Sequence, residues 1–198
     1  MSVSSYPLEG VTVLDFGQIY NGPYASFMLA MGGARVIKIE PPGGEPLRRR
    51  SGAVGGSFPL ATLNANKEGV TLNLKHERGR ELLRKMVCQA DVLLENFAPT
   101  VMERLGVGAE SLMALNPRLI YASISGFGRL EGYQGPFSDR PAFDIVAEAM
   151  SGLMHGIGFE DKPPSTTVHG MADIISGMTA AWGITQALYM RERTGEGQ

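Results

Sequence analysis

Cysteine is nearly missing from this sequence. Cys88 stands alone among 198 residues, so no internal disulfide can form, and a reducing compartment is the expectation. An excess of charge of either sign is missing too. Eighteen Lys and Arg stand against twenty Asp and Glu, a net charge of -2. That balance argues against nucleic acid as the main partner, because a phosphate backbone calls for a basic excess. No apolar run reaches about 18 residues before Ser, Thr, Gln or Gly interrupts it, so no membrane span is expected. The opening MSVSSYPLEG lacks a basic stretch followed by an apolar one, so no secretory signal is read and the expected location is the cytoplasm. His76, His155 and His169 show no ligand-like spacing, and no metal site is expected. The first apolar run is followed by GQIYNGP rather than GxGxxG, which argues against a nicotinamide-binding domain.

The composition is that of an ordinary globular chain, 43% hydrophobic and 19% charged, long enough for one sizeable core without staples. Glycine is abundant at 26 residues, which suits tight strand-to-helix turns and close approach of backbone to a ligand. Short apolar runs alternate with helical periodicity. Residues 11–16 (VTVLDF), 35–40 (RVIKIE), 70–75 (VTLNLK), 91–97 (DVLLENF) and 118–125 (RLIYASIS) read as strands. Helices are predicted from Gly22-Pro23 to about Met31, over 79–90, in a short region over 99–115, over 143–153, and over 172–193. The last of these carries Ile174, Ile175, Met178, Ala181, Trp182, Leu188 and Tyr189 around much of its circumference, and burial against the sheet or a partner subunit is expected. Residues 41–57 form a Pro-, Gly- and Arg-rich loop. Its Arg48, Arg49 and Arg50 read either as a solvated stretch or as a basic lid over a phosphorylated ligand.

Strands alternating with helices give an α/β fold: a largely parallel sheet with helices on both faces, followed by a long C-terminal helix. Ligands of such sheets bind beyond the carboxyl ends of the strands. Residues 17–22, 40–50, 75, 96–99 and 126–128 are therefore the candidate site segments. Read on its residues alone, Asp173 at the start of the last helix is either an N-cap or a reactive carboxylate. On the second reading, the helix dipole and free amides would keep it ionised. RERTGEGQ at the end reads as a turn into a further strand, as in part of a larger polypeptide.

Several stretches together resemble the family III CoA-transferases, the group that includes formyl-CoA transferase and carnitine CoA-transferase. They are PLEGVTVLDFGQIYNGPYAS, MGGARVIKIEPPGG, NANKEGVTLNLK, VLLENFAPTVMERLG, LNPRLIYASISGFG, PAFDIVAEAMSGLM, the surroundings of Asp173, and RERTGEGQ. Their order and spacing run from about residue 7 to 198. The resemblance implies an N-terminal, CoA-binding large domain over 1–198. It would comprise a Rossmann-like core over about 7–145 and a helical region over about 143–198, with the family's C-terminal small domain absent. It implies an enzyme that moves CoA between an acyl-CoA and a free carboxylic acid, with coenzyme A as substrate and no metal. It also implies an interlocked homodimer, or a partner chain supplying the missing half.

By the same resemblance Asp173 is the nucleophile, and Tyr20 and Asn21 lie near the thioester. Leu72, Asn73, Leu74 and Lys75 line the adenosine, and Asn96, Phe97 and Ala98 line the pantetheine and adenine pocket. Arg104 meets a phosphate, and Arg140 and Asp144 flank a loop that closes on the CoA chain. Two departures stand out. Formyl-CoA transferase has glutamine where this chain has Tyr20, and arginine where it has Pro41. Two alternatives remain. An α-methylacyl-CoA racemase shares the fold, but its catalytic histidine falls on Phe143 here. A non-catalytic CoA-binding subunit or fragment fits the missing half.

Overall fold

Apolar side chains alternate along short strands and bury both faces of one sheet. The computed structural model describes residues 6–50 and 58–198. β1 (Thr12–Asp15) leads through α1 (Asn21–Met31) to β2 (Arg35–Glu40). The one-turn α2 (Leu47–Arg50), α3 (Phe58–Leu63) and β3 (Lys67–Thr71) follow. Next come α4 (Glu77–Val87), β4 (Val92–Glu95), α5 (Val101–Arg104), α6 (Ala109–Leu115) and β5 (Ile120–Ser123). α7 (Asp144–Met150), α8 (Leu153–Gly156) and the long α9 (Met171–Thr194) lie after the last strand.

The strand order is β3-β2-β1-β4-β5, and every neighbouring pair is parallel. β4 shows how the alternation works. Val92 and Leu94 face Val13, Val36, Leu29 and Ile184 in one core layer. Leu93 faces Leu14, Ile37, Leu83 and Leu112 in the other. Covered on both sides, the sheet is the α/β architecture that the alternating pattern predicts. The chain leaves β1 to one side for β2 and β3, then returns to its other side for β4 and β5. That reversal opens a crevice beyond the carboxyl ends of β1 and β4, where open α/β sheets bind ligands.

Two expectations need correction. The third strand is Lys67–Thr71, not residues 70–75. Leu72 N still donates to Glu40 O at 2.8 Å, but Leu72–Lys75 then turn towards α4. β3 is an edge strand with mostly exposed side chains, so backbone pairing defines it, and the alternation of Val70, Leu72 and Leu74 misplaces it. Within the supposed loop 41–57, residues 47–50 form a helical turn, and residues 51–57 lie outside the described residues. Along α9, Ala181 and Leu188 are buried, whereas Ile175, Met178, Trp182 and Tyr189 are exposed. At the end, Tyr121 N donates to Gln198 O at 2.9 Å, while residues 196–198 form no strand of their own. Among the described residues, no helix is long and apolar enough to cross a membrane.

α1 packs directly along α9, and Gly177 makes this possible. A Cβ at Gly177 would sit 2.6 Å from Asn21 O and 3.2 Å from the Tyr24 ring. The Gly177→Ala substitution must push the two helices apart. The expected loss is about 1–3 kcal/mol, read as a lower urea midpoint at unchanged slope.

Candidate active site

The crevice begins with a loop whose backbone is held by side chains from four directions. Gly17 N donates to Asp15 Oδ1 at 2.7 Å, and Lys38 Nζ donates to Gly17 O at 2.5 Å. Gln18 N donates to Asn96 Oδ1 at 2.7 Å, while Asn96 Nδ2 donates to Gln18 O at 2.9 Å. Ile19 N donates to Glu45 Oε2 at 3.1 Å. These bonds hold Ile19 at φ 65, a left-handed conformation that a β-branched residue avoids and that the surroundings must enforce. Glycine is required at position 17, because a Cβ there would lie 2.6 Å from the Gly22 backbone.

Asn96 comes from the end of β4 and bridges the crevice to this loop. Its Nδ2 also donates to Asn21 Oδ1 at 2.7 Å. Asn21 Nδ2 in turn donates to Ser176 Oγ at 3.2 Å, and Ser176 Oγ donates to Asp173 O at 3.0 Å. One polar chain therefore ties β4, the β1–α1 loop and α9 together. Asn96→Ala leaves Gln18 N and O without their partner in a partly buried place. The expected cost is about 2–4 kcal/mol from two orphaned groups at about 1–2 kcal/mol each, measured by urea unfolding.

A cleft of about 320 Å³ opens here, with Asp173, Ser176, Asn21, Asn96 and Arg140 among the side chains on its walls. Asp173 lies in the first turn of α9, half-buried. It is not the helix cap. Gly170 occupies the N-cap at φ 91 with no side-chain cap of its own, and Asp144 reaches across from α7 to take up the amides. Gly170 N donates to Asp144 Oδ2 at 2.9 Å, and Ala172 N and Asp173 N donate to Oδ1 at 2.8 and 3.1 Å. The amides expected to keep Asp173 ionised are thus occupied. Burial, and secondarily the Asp144 charge, push the Asp173 carboxyl up to about 6, against the pull of His169 and Arg50.

The structure brings together Asn21, Asn96, Phe97, Ala98, Arg140, Asp144 and Asp173 around this one cleft. Tyr20 stands beside it, its ring edge-on to His169 at 5.8 Å. Leu72, Asn73, Leu74, Lys75 and Arg104 lie outside the walls of the cleft. Leu72 is buried under α4, whereas Asn73, Lys75 and Arg104 are exposed. Arg48 is not a free basic group: it grips Glu40 through two nitrogens at 2.6 and 2.7 Å. Sequence reasoning missed Ser176, and Glu45 entered only as one member of the candidate segment 40–50. The signal for Ser176 was its position one turn after Asp173, which puts both on one helix face. The individual role of Glu45 had no signal, since its partner Ile19 N is distant in sequence. Among the described residues, no group of three or more His, Cys, Asp or Glu is poised to hold a metal ion.

Comparison with known proteins agrees with the architecture. The family model for CoA-transferase family III matches residues 8–198. An acetyl-CoA:oxalate CoA-transferase of Acetobacter aceti is 47% identical over 195 residues, covering 96% of this chain and 49% of the relative. A succinyl-CoA–D-citramalate CoA-transferase of Chloroflexus aurantiacus is 40% identical over 195 residues, covering 97% and 48%. The crystal structure of a CAIB/BAIF family protein from Brucella suis superposes with a TM-score of 0.88 at 38% identity, covering 98% of this chain and 52% of that one. The chain spans about half the length of the curated relatives it matches. With the sheet, the switch-point cleft and these matches in agreement, this chain belongs to the family III CoA-transferases.

Proposed function

We propose that this chain is the CoA-binding half of an enzyme that moves CoA between an acyl-CoA and a free carboxylic acid, with Asp173 as nucleophile. The observation that carries the reading is the half-buried Asp173 carboxylate, raised to about 6 yet mostly ionised at neutral pH, on the wall of the switch-point cleft.

The chemistry follows from the need to keep the acyl group activated once CoA departs. An Asp173 oxygen attacks the thioester carbonyl carbon, the C–S bond breaks, and CoA leaves as its thiolate. The product is a mixed anhydride between Asp173 and the acyl group. The thiolate then attacks Cγ of Asp173 and expels the donor acid as carboxylate, leaving an aspartyl-CoA thioester. The incoming carboxylate attacks the same Cγ, the Cγ–S bond breaks, CoA leaves again as its thiolate, and an anhydride is re-formed. The thiolate finally attacks the new acyl carbonyl, releasing the product thioester and the free Asp173 carboxylate. One thioester is consumed and one is made, so no ATP is needed.

In this reading Asn96, Phe97 and Ala98 line the pantetheine path, with Tyr20 and Asn21 near the thioester. Arg140 is an exposed cation at the rim. Leu72, Asn73, Leu74 and Lys75 receive the adenosine outside the cleft, and Arg104 pairs with a phosphate. The names of the relatives favour small acids such as oxalate or citramalate as acceptors.

The test is intact mass after mixing the chain with acetyl-CoA, formyl-CoA and succinyl-CoA, followed by hydroxylamine trapping and peptide mapping. The expected result is a hydroxamate confined to the peptide carrying Asp173 and absent from Asp173→Ala. A folded chain that binds CoA but forms no adduct with any of the three would sink the claim of catalysis by this half, leaving a binding subunit.

A further inference from the structure

We propose that Asp144 is a positioning residue for the reacting carboxylate: it fixes the first turn of α9, and with it Asp173, rather than touching CoA. The inference rests on Asp173 being the nucleophile. Both Asp144 oxygens are committed. Oδ2 accepts from Gly170 N, and Oδ1 accepts from both Ala172 N and Asp173 N. A carboxylate that takes three amide bonds has little acceptor capacity left for a ligand.

A second observation comes from the same helix face. Glu148 lies one turn after Asp144, at the i,i+4 spacing that puts two side chains side by side. It is 2% exposed. Its Oε2 accepts from Thr167 N at 3.0 Å, and its Oε1 accepts from the Thr167 hydroxyl. α7 thus carries two neighbouring carboxylates that clamp residues 167–173, the segment delivering Asp173 to the cleft. Such a clamp removes the freedom of the backbone that carries the nucleophile, and a small misplacement there is costly in rate.

Asp144 also sets the charge that Asp173 meets. Asp144 from α7 opposes ionisation of Asp173, whereas His169 ahead of α9 and Arg50 of α2 favour it. Arg140 shares the cleft. The Asp144→Asn change removes the opposing charge and points an NH2 group at an amide. Asp144→Ser keeps a neutral capping oxygen and serves if the first variant fails to fold.

The readouts are the 13Cγ titration of Asp173 by NMR, the affinity for free CoA by calorimetry, and the acylation rate at saturating acetyl-CoA. The titration midpoint of Asp173 should fall below that of the unaltered chain in both variants. CoA affinity should change by less than about twofold, and acylation should slow by about tenfold or more. Weakening of CoA binding by tenfold with an unmoved Asp173 titration would overturn the proposal and make Asp144 a CoA contact. If the midpoint falls as expected but Asp173→Ala still forms the adduct, the nucleophile assignment fails and the clamp stands as structure alone.

Discussion

With Asp173 as the proposed nucleophile, acylation should slow about tenfold for each pH unit below 6 and level off above it, because only the ionised carboxylate would attack. Burial raises this carboxyl most, and the neighbouring Asp144 charge adds to the rise. At pH 7 the ionised form still leads by about ten to one for a group titrating near 6. The same shift has a thermodynamic signature. Between the ordinary 3.8 and about 6, the folded chain holds a proton at Asp173 that the unfolded chain has released. Stability therefore declines as pH rises through that window. At pH 7 the ionised group costs on the order of 1 kcal/mol, well below the full shift, because water still reaches and screens it. Asp173→Asn should raise the unfolding free energy at pH 7 by about that amount, and the gain should vanish below about pH 4, where the carboxyl is protonated in both states. Urea titrations of both proteins at pH 4 and 7 check this. A variant that is less stable at pH 7 would remove the argument that Asp173 is held ionised against its surroundings. A residue that destabilises its fold while standing in a cleft is what a functional role predicts.

Asp15→Ala should destabilise the chain by about 3–5 kcal/mol, the range for removing one partner of a buried ion pair. Asp15 is fully buried, and its Oδ2 lies 3.0 Å from Lys67 Nζ and 4.0 Å from Lys38 Nζ. Both lysine side chains are nearly inaccessible, at 1% and 4%. Ser26 Oγ also donates to Asp15 Oδ2 at 2.7 Å. Without Asp15, two buried ammonium groups lose their shared counter-charge and Gly17 N loses its acceptor. Burial already pushes Lys67 down to about 8, and the Asp15 charge beside it opposes that fall. The loss should appear in urea unfolding as a lower midpoint. A change below about 1 kcal/mol would mean that the cluster neutralises or hydrates once Asp15 is gone. Because the cluster underlies Gly17, this variant should also bind CoA more weakly than the unaltered chain.

Local pattern alone determined a good deal of this protein. VTVLDF, RVIKIE and DVLLENF are dense apolar runs bounded by glycine, proline or polar residues, and each became a strand flanked by helices. Parallel alternation then placed the site beyond the strand ends, so segments 17–22 and 96–99 were identifiable before any coordinates. The order and spacing of the motifs carried the family. The edge strand was not legible in the same way. β3 buries little side-chain surface, so its pairing with β2 leaves no periodic trace. The exposure of Trp182 and Met178 was hidden for a related reason: apolarity around a helix does not say which side meets a neighbour.

The electrostatics of the site belonged to the tertiary structure. Asp173 and Asp144 are 29 residues apart in sequence, and Glu45 and Ile19 are 26 apart. Whether a carboxylate caps its own helix or another's, and whether it titrates near 4 or near 6, depends on depth of burial and on charges brought close by the fold. Coulombic and desolvation effects act through space and take no account of chain distance. The sequence therefore singled out Asp173 as the candidate nucleophile, by motif, while the packing of α7 against α9 decided how that residue is held and at what pH it is charged.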